Sequence, residues 1–572
     1  MGHRRRRAVQ NHLQNRTNQL GEPMSHFNSV KWAYVMKLVW FLGILILYPG
    51  SFSHCDGIAP RVRAAGESLE GVWLNSNINV AVFKSIPYAA APTGEWRWKA
   101  PQPHVPRKGV QLATEFKSAC PQLQGNHEWY RNVGALFGVN PRNGDLGNIS
   151  EDCLHLNIWT SNPGGKKKLP VMVWIHGGSN TNGYSFEPNY QGYEFAQHGV
   201  VLVSINYRLG VLGFLAHPAL SAEDIKHSSG YYGFLDQIAA LGWVKANIEA
   251  FGGDPKNVTV FGESAGAADI GTLLLSRHSS DLFKRAIIQS GGFEINSFET
   301  LKEGESRGIE LTNYLKLPQS ETQLKLMRSI GWKALVEAVP KALPGYYFDA
   351  RIDNWFMDEP AASAFSAGRI HPADLLIGSN ANESFMYIPT GVSADDVKNK
   401  LKDILPHYPE GGLQKLLEKL GPRQQMDRLV TAEQYLCTAR YIAKSVADTR
   451  NSVYFYHFDR NRPGAEQLLA YHGAEIPYVF NSADNWLPSN TTDRMLEQFM
   501  IRAWSNFAKT GNPNDGSSTE WPTFESDTQK FLLIGNTLRV AQHPEQLICD
   551  VFDLVLEKKM AAFAKRQDTE FP

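Results

Sequence analysis

Apolar residues in this chain fall in short, nearly continuous runs separated by amphipathic or polar stretches. Leu154–Thr160, Leu169–Ile175 and Val200–Ile205 read as strands. The last two carry almost no polar residues, as expected of parallel strands covered on both faces. After them, Leu235, Ile238, Ala239, Trp243 and Ala246 recur with the period of a helix that has one apolar face. Further strands are predicted at Val258–Phe261, Ala286–Gln289, Leu375–Ser379, Val453–His457 and Phe531–Ile534, with helices between them. Upstream, Val72–Leu74 and Val80–Phe83 alternate as antiparallel strands, and the proline-rich IPYAAAPTGEWRWKAPQP that follows must extend or turn. Residues 121–150 are polar and glycine-bearing, which predicts a loop. The charged segments near 298–372 and 390–450 predict helical insertions that roof a site. No internal repeat is present. Alternation of strand and helix implies an α/β fold with a large, mostly parallel sheet and helices on both faces.

Composition narrows the function. The 572 residues are 43% hydrophobic and 11% aromatic, enough to bury a large core. Lys+Arg and Asp+Glu are both 57, so the basic footprint of a nucleic-acid binder is missing. No C-x-x-C pair, H-E-x-x-H helix or phosphate-binding glycine loop is present, so no metal or cofactor is expected. The outlier is the N-terminus, with Arg4 to Arg7 in a row and then the apolar run Leu38–Tyr48 behind Lys37. That run is too short to span a bilayer, which takes about 20 residues. It fits the apolar region of a signal peptide, with Ser51-Phe52-Ser53 as a small-x-small cleavage site. The expected organisation is therefore a basic extension plus signal peptide over 1–53, a linker over 54–66 and a single domain over 67–572. The mature chain would be exported and have no membrane span. Met36 is a candidate start, and an uncleaved anchor from near Val30 is the competing reading. Five cysteines suit an oxidising compartment. Cys55 lies at the cleavage point, and the other four allow three pairings.

The chemistry centres on Asn257–Ala268, NVTVFGESAGAA. A short strand, the turn Gly262-Glu263-Ser264-Ala265-Gly266 and a helix of small residues together make a nucleophile elbow. A second G-x-S-x-G, around Ser306, lies in the charged run ETLKEGESRGIE with no strand before it, and reads as a solvated helix start.

EDCLHLNIW (151–159), VWIHGG (173–178), NYRLGVLGFL (206–215), FGGDPKNVTVFGESAGA (251–267) and WSNFAKTGNPN (504–514) together resemble the type-B carboxylesterase/cholinesterase family. The likeness runs from about 60 to 560. It implies an α/β-hydrolase fold, ester hydrolysis through an acyl-enzyme and a Ser–acid–His order of catalytic residues. On this chain those are Ser264, Glu383 in SNANESFMY and His472 in YHGAEIPYVF. A serine hydroxyl needs an imidazole to take its proton, and the imidazole needs a carboxylate to fix its tautomer. Ala265 and the turn residues Gly178 and Ser179 are the expected oxyanion donors, with serine standing where the commoner H-G-G-G form has glycine. The resemblance also implies Glu151–Arg97 and Arg208–Asp236 ion pairs, a Cys120–Cys153 disulfide, a second one between Cys437 and Cys549, and Glu263 as a buried supporting acid. No aromatic residue stands shortly before EDC to stack on a choline ammonium. Trp129 and Tyr130, farther upstream, are candidates for the entrance. The expectation is thus a carboxylesterase acting on small-molecule esters, with a lipase-like esterase or a non-catalytic adhesion relative as alternatives.

Overall fold

Seven strands running in one direction form the centre of the molecule, and their apolar residues alternate between two cores. In this computed structural model the described residues are 58–570, apart from 75–78, 124, 140–146, 294–297, 405–412, 414, 416, 450, 484–485 and 517–518. The expected extension, signal peptide and Cys55 lie outside them. The strands are β1 (Arg61–Ala64), β2 (Glu67–Glu70), β3 (Val72–Trp73), β4 (Ala81–Pro87), β5 (Val110–Leu112), β6 (Ser118–Ala119), β7 (Asn148–Ile149), β8 (His155–Thr160), β9 (Leu169–Ile175), β10 (Val201–Ile205), β11 (Gly253–Glu263), β12 (Arg285–Gln289), β13 (Asp374–Asn380), β14 (Val453–Phe458), β15 (Lys530–Ile534) and β16 (Leu538–Gln542). The main sheet has eleven strands in the order β16-β15-β14-β13-β12-β11-β9-β10-β8-β4-β3. From β15 to β10 every pairing is parallel, whereas β16 and the β8-β4-β3 edge are antiparallel.

Successive side chains on a strand point to opposite faces, and here each face has its own core. Val171, Val173 and Ile175 of β9 pack into one, with Leu241, Val244, Ile270 and Leu273 from the helices Tyr232–Asn247 and Ala265–Leu275. Met172 and Trp174 pack into the other, with Leu496, Met500, Trp504 and Phe507 of the helix Thr491–Thr510. Covering both faces is why these strands lack polar alternation.

Three segments differ from the sequence reading. Residues 125–136 form a helix, not a loop, because Tyr130, Val133 and Phe137 share a face that buries against the second core. The stretch 54–66, read as a linker, contains β1, whose Val62 and Ala64 are buried while its two arginines are exposed. An edge strand, β16, was not anticipated, and its half-exposed residues explain why. The stretches 298–372 and 390–450 do supply helices, among them Leu301–Tyr314, Trp332–Ala342, Pro422–Thr431 and Cys437–Ala447.

Buried ion pairs and disulfides hold the loops that leave the sheet. Arg208, after β10, grips Asp236 with both Nε and Nη2 at 2.7 Å, and its Nη1 donates to the Lys99 carbonyl. Arg97 clamps Glu151 from two nitrogens and donates to the carbonyls of Arg328 and Ile330. Disulfides join Cys120 to Cys153 and Cys437 to Cys549. Among the described residues no helix is long and apolar enough to cross a membrane.

Removing one member of a buried pair strands the other charge in a medium that cannot solvate it. Asp236→Ala should therefore cost about 3–5 kcal/mol of unfolding free energy by denaturant titration. Breaking the exposed Arg307–Glu310 pair with Glu310→Ala should cost no more than about 0.5 kcal/mol.

Candidate active site

The site begins where β11 ends. Gly262 pairs with Ile175 of β9, and a Cβ at 262 would lie 2.7 Å from the Ile175 carbonyl oxygen. At Gly266, in the first turn of the following helix, a Cβ would lie 2.1 Å from that same oxygen. Only glycines let the strand, turn and helix approach β9 this closely. Between them Ser264 is forced to φ +57°, ψ −125°. Such a conformation costs on the order of 1–3 kcal/mol and persists only where its surroundings enforce it. Its backbone N–H donates to the Gln289 carbonyl of β12, and the helix N-terminus starts directly beneath it.

The turn after β9 packs on the elbow from the other side. A Cβ at Gly177 would lie 2.7 Å from the Glu263 carbonyl oxygen and 3.0 Å from Ser264 Cβ. Gly178 and Ser179 both adopt positive φ, at 104° and 57°. Tyr207 holds this turn: its hydroxyl donates to the His176 carbonyl at 2.8 Å and its ring stacks on the imidazole. Burial lowers the His176 pKa to about 4, so the neutral ring donates its Nδ1 proton to the Gly177 carbonyl. Since Tyr207 precedes Arg208, the Arg208–Asp236 pair indirectly fixes the turn. Ser179 and Ala265 border the same cavity as Ser264.

Two loops from distant parts of the chain complete the arrangement. His472 Nε2 lies 2.8 Å from Ser264 Oγ, and its Nδ1 lies 2.7 Å from Glu383 Oε2. Glu383 is fully buried, and its other oxygen accepts from the Asn380 N–H at 2.6 Å. Asn380, at the end of β13, donates its side-chain amide to the Tyr471 carbonyl and to Glu475. Glu475 also accepts from Gln289. One amide and one carboxylate thus tie the acid loop, the histidine loop and the strand beside the elbow together. From the opposite side Asp427 accepts from Asn382 and from the Ser384 N–H. Gln289 and Asp427 carry no local motif, so only the folded chain reveals their part in the site.

Glu263 Oε1 lies 3.3 Å from His472 Nε2. Burial, only partly offset by attraction to His472, raises the Glu263 carboxyl to about 8. On His472 burial acts downward, but the Glu263 charge and then the Glu383 hydrogen bond outweigh it and raise the imidazole to about 9. The Tyr435 ring packs 4.9 Å from the imidazole. Trp129 is half-buried and donates to the Tyr387 hydroxyl, close to the position a Cβ on Gly473 would occupy. Tyr130, its neighbour, is not at the entrance: it is buried and donates to Glu187. Ser306 sits exposed on the helix Leu301–Tyr314, with its hydroxyl donating to the Lys302 carbonyl.

The parallel sheet, the strained serine turn and the hydrogen-bonded Ser–His–Glu chain define an α/β-hydrolase. The carboxylesterase family model matches residues 59–552, and the chain belongs to that family. It is 34% identical to the fumonisin B1 esterase of Sphingopyxis macrogoltabida over 78% of this chain and 82% of that one. It is 31% identical to the cholinesterase of Mus musculus over 87% of this chain and 86% of the other. The solved structure of a carboxylesterase from Geobacillus stearothermophilus superposes with a TM-score of 0.75 at 30% identity, covering 86% of this chain and all of that one. The protein is a carboxylesterase, a serine hydrolase acting on carboxylic ester bonds.

An imidazole accepts a proton only in its neutral form, and the negative charge of Glu263 favours the protonated form. Glu263→Gln removes that charge at nearly constant shape. The acid limb of the pH profile of kcat/KM for p-nitrophenyl acetate should move to lower pH; an unmoved or raised limb would mean that Glu263 does not act on His472.

Proposed function

We propose that this protein is an exported carboxylesterase that works through Ser264, His472 and Glu383 by way of an acyl-enzyme. The observation that carries this reading is the unbroken hydrogen-bond chain from Ser264 Oγ through the imidazole to Glu383. In acylation His472 Nε2 takes the Ser264 proton as Oγ attacks the ester carbonyl. The oxyanion of the tetrahedral intermediate then faces the backbone N–H groups of Gly178, Ser179 and Ala265, preset donors that need no reorganisation as charge develops. His472 returns the proton to the departing alcohol, leaving the acyl group on Ser264. Water repeats the sequence in deacylation. Glu383 stays ionised throughout, holding Nδ1–H and stabilising the imidazolium.

The small-molecule reading is supported by the cavity beside Ser264, about 440 Å³ in volume and bordered by carboxylates, hydroxyls and an amide alongside Phe293 and three alanines. Such a lining suits a compact polar ester better than a long acyl chain, which favours esterase over lipase. Export is supported by the signal-like Leu38–Tyr48 run and by two disulfides, which persist in oxidising compartments.

Ser264→Ala and His472→Ala should each lower kcat for p-nitrophenyl acetate by at least about 10⁴-fold, with Glu383→Gln losing somewhat less. In the wild type, rates along the p-nitrophenyl series should peak at short acyl chains. Undiminished turnover in Ser264→Ala would overturn the assignment.

A further inference from the structure

In the turn after β9, serine stands at 179 where the commoner H-G-G-G form has glycine. Gly178, Ser179 and Asn180 follow one another with φ of 104°, 57° and 55°. Glycine enters that region freely, whereas a residue with a Cβ enters it at a cost. Two non-glycine residues in a row there need a hold from outside the turn.

Asn180 supplies the handle. It is buried, and its Nδ2 donates to Asp269 Oδ1 at 3.1 Å and to the Phe348 carbonyl at 3.3 Å, while its Oδ1 faces the Tyr207 hydroxyl at 3.2 Å. Its backbone carbonyl accepts from the Gly210 N–H. Asp269 lies on the helix Ala265–Leu275, the rigid element that starts at the serine turn. The second Asp269 oxygen accepts from Gln237 of the helix Tyr232–Asn247, next to Asp236, the partner of Arg208. The turn is thereby tied to the helix that carries the serine.

Burial raises the Asp269 carboxyl to about 7, and the bonds from Asn180 and Gln237 work against that rise. Among the described residues its hydrogen-bond partners are these two neutral amides, with no lysine or arginine between them. Ion pairing is therefore not what keeps an acid at this position. A carboxyl offers two acceptor oxygens, one for the turn and one for the neighbouring helix.

Resting on the reading of Ser264 as nucleophile and of Gly178 and Ser179 as oxyanion donors, we propose that Asp269 is a positioning residue. Through Asn180 it fixes the backbone N–H groups of the turn relative to the serine. Acylation and deacylation both pass through an oxyanion, so losing this hold lowers kcat and leaves KM nearly unchanged.

The test measures kcat and KM for p-nitrophenyl acetate and Ki for 1,1,1-trifluorooctan-2-one, a ketone whose adduct with a serine carries an oxyanion. Wild type, Asp269→Ala, Asp269→Asn, Asn180→Gly and Ser264→Ala are compared. Asp269→Ala should lower kcat by about tenfold to a hundredfold, keep KM within about twofold, and weaken the ketone by about the same factor as kcat. Asn180→Gly accepts positive φ but lacks the amide, and should show the same pattern even if Asp269→Ala does not fold. Asp269→Asn should restore kcat to within about threefold of wild type, because its amide oxygen can still accept from Asn180. Gln237, whose Oε1 has no partner among the described residues, can then turn to accept from the new N–H. Unchanged kcat in Asn180→Gly, a loss confined to KM, or an Asp269→Asn variant as impaired as Asp269→Ala would overturn the proposal. Full activity of Ser264→Ala would instead remove the nucleophile assignment on which it rests.

Discussion

The close approach of β11 and its following helix to the Ile175 carbonyl is the constraint on which the site depends. It excludes side chains at positions 262 and 266, and with them gone the backbone can turn sharply enough to leave Ser264 at positive φ. The energy stored in that turn is supplied by the surrounding sheet, whose parallel pairing brings β9, β12 and the elbow into one register. The same packing sets the turn after β9 against the serine, since Gly177 meets Glu263 and Ser264 across a gap that admits no Cβ. Geometry around the reacting atoms is therefore a property of backbones. At the serine it does not rely on long flexible side chains, whose ordering would cost conformational entropy, whereas the loops of Glu383 and His472 are held by the Asn380, Gln289 and Glu475 side chains.

Electrostatics is the second layer. Glu263, Glu383 and Glu475 are all buried near a single imidazole. Each has a distinct task set by its partners: Glu383 bonds Nδ1, Glu475 joins Asn380 to Gln289, and Glu263 faces Nε2. Burial, to which repulsion from the other two carboxylates adds, raises the Glu263 carboxyl. On the proposed reading of His472 as the base, the position of the proton within this group governs how readily it accepts the serine's proton.

Much of this was legible in the chain. The parallel strands announced themselves because both of their faces are buried, and the elbow because its glycines and serine are contiguous. Where burial was one-sided or partial, the signal faded: the helix 125–136 has its few apolar residues diluted among polar ones, and β16 is an exposed edge. Pattern alone disclosed no contacts between distant segments; those expected among Ser264, Glu383 and His472, and the ion pairs and disulfides, came from the family resemblance. Asn380 and Glu475 meet across 95 positions, and nothing in SNANESFMY or YHGAEIPYVF says that these two bond each other. Nor does composition disclose the π-helical turn Ala432–Leu436 that carries Gln434 and Tyr435 to the cavity, because one extra residue in a helix leaves no periodic trace over five residues.

The central claim is that the strained serine, and no other, becomes covalently acylated. The most direct measurement is the mass of the protein after reaction with a fluorophosphonate, followed by peptide mapping of the adduct. A single phosphonyl group on the peptide containing Ser264, lost when the protein is first unfolded, is the result this account predicts. Stoichiometric labelling of any other residue, or none at all in a protein that still hydrolyses esters, would contradict it.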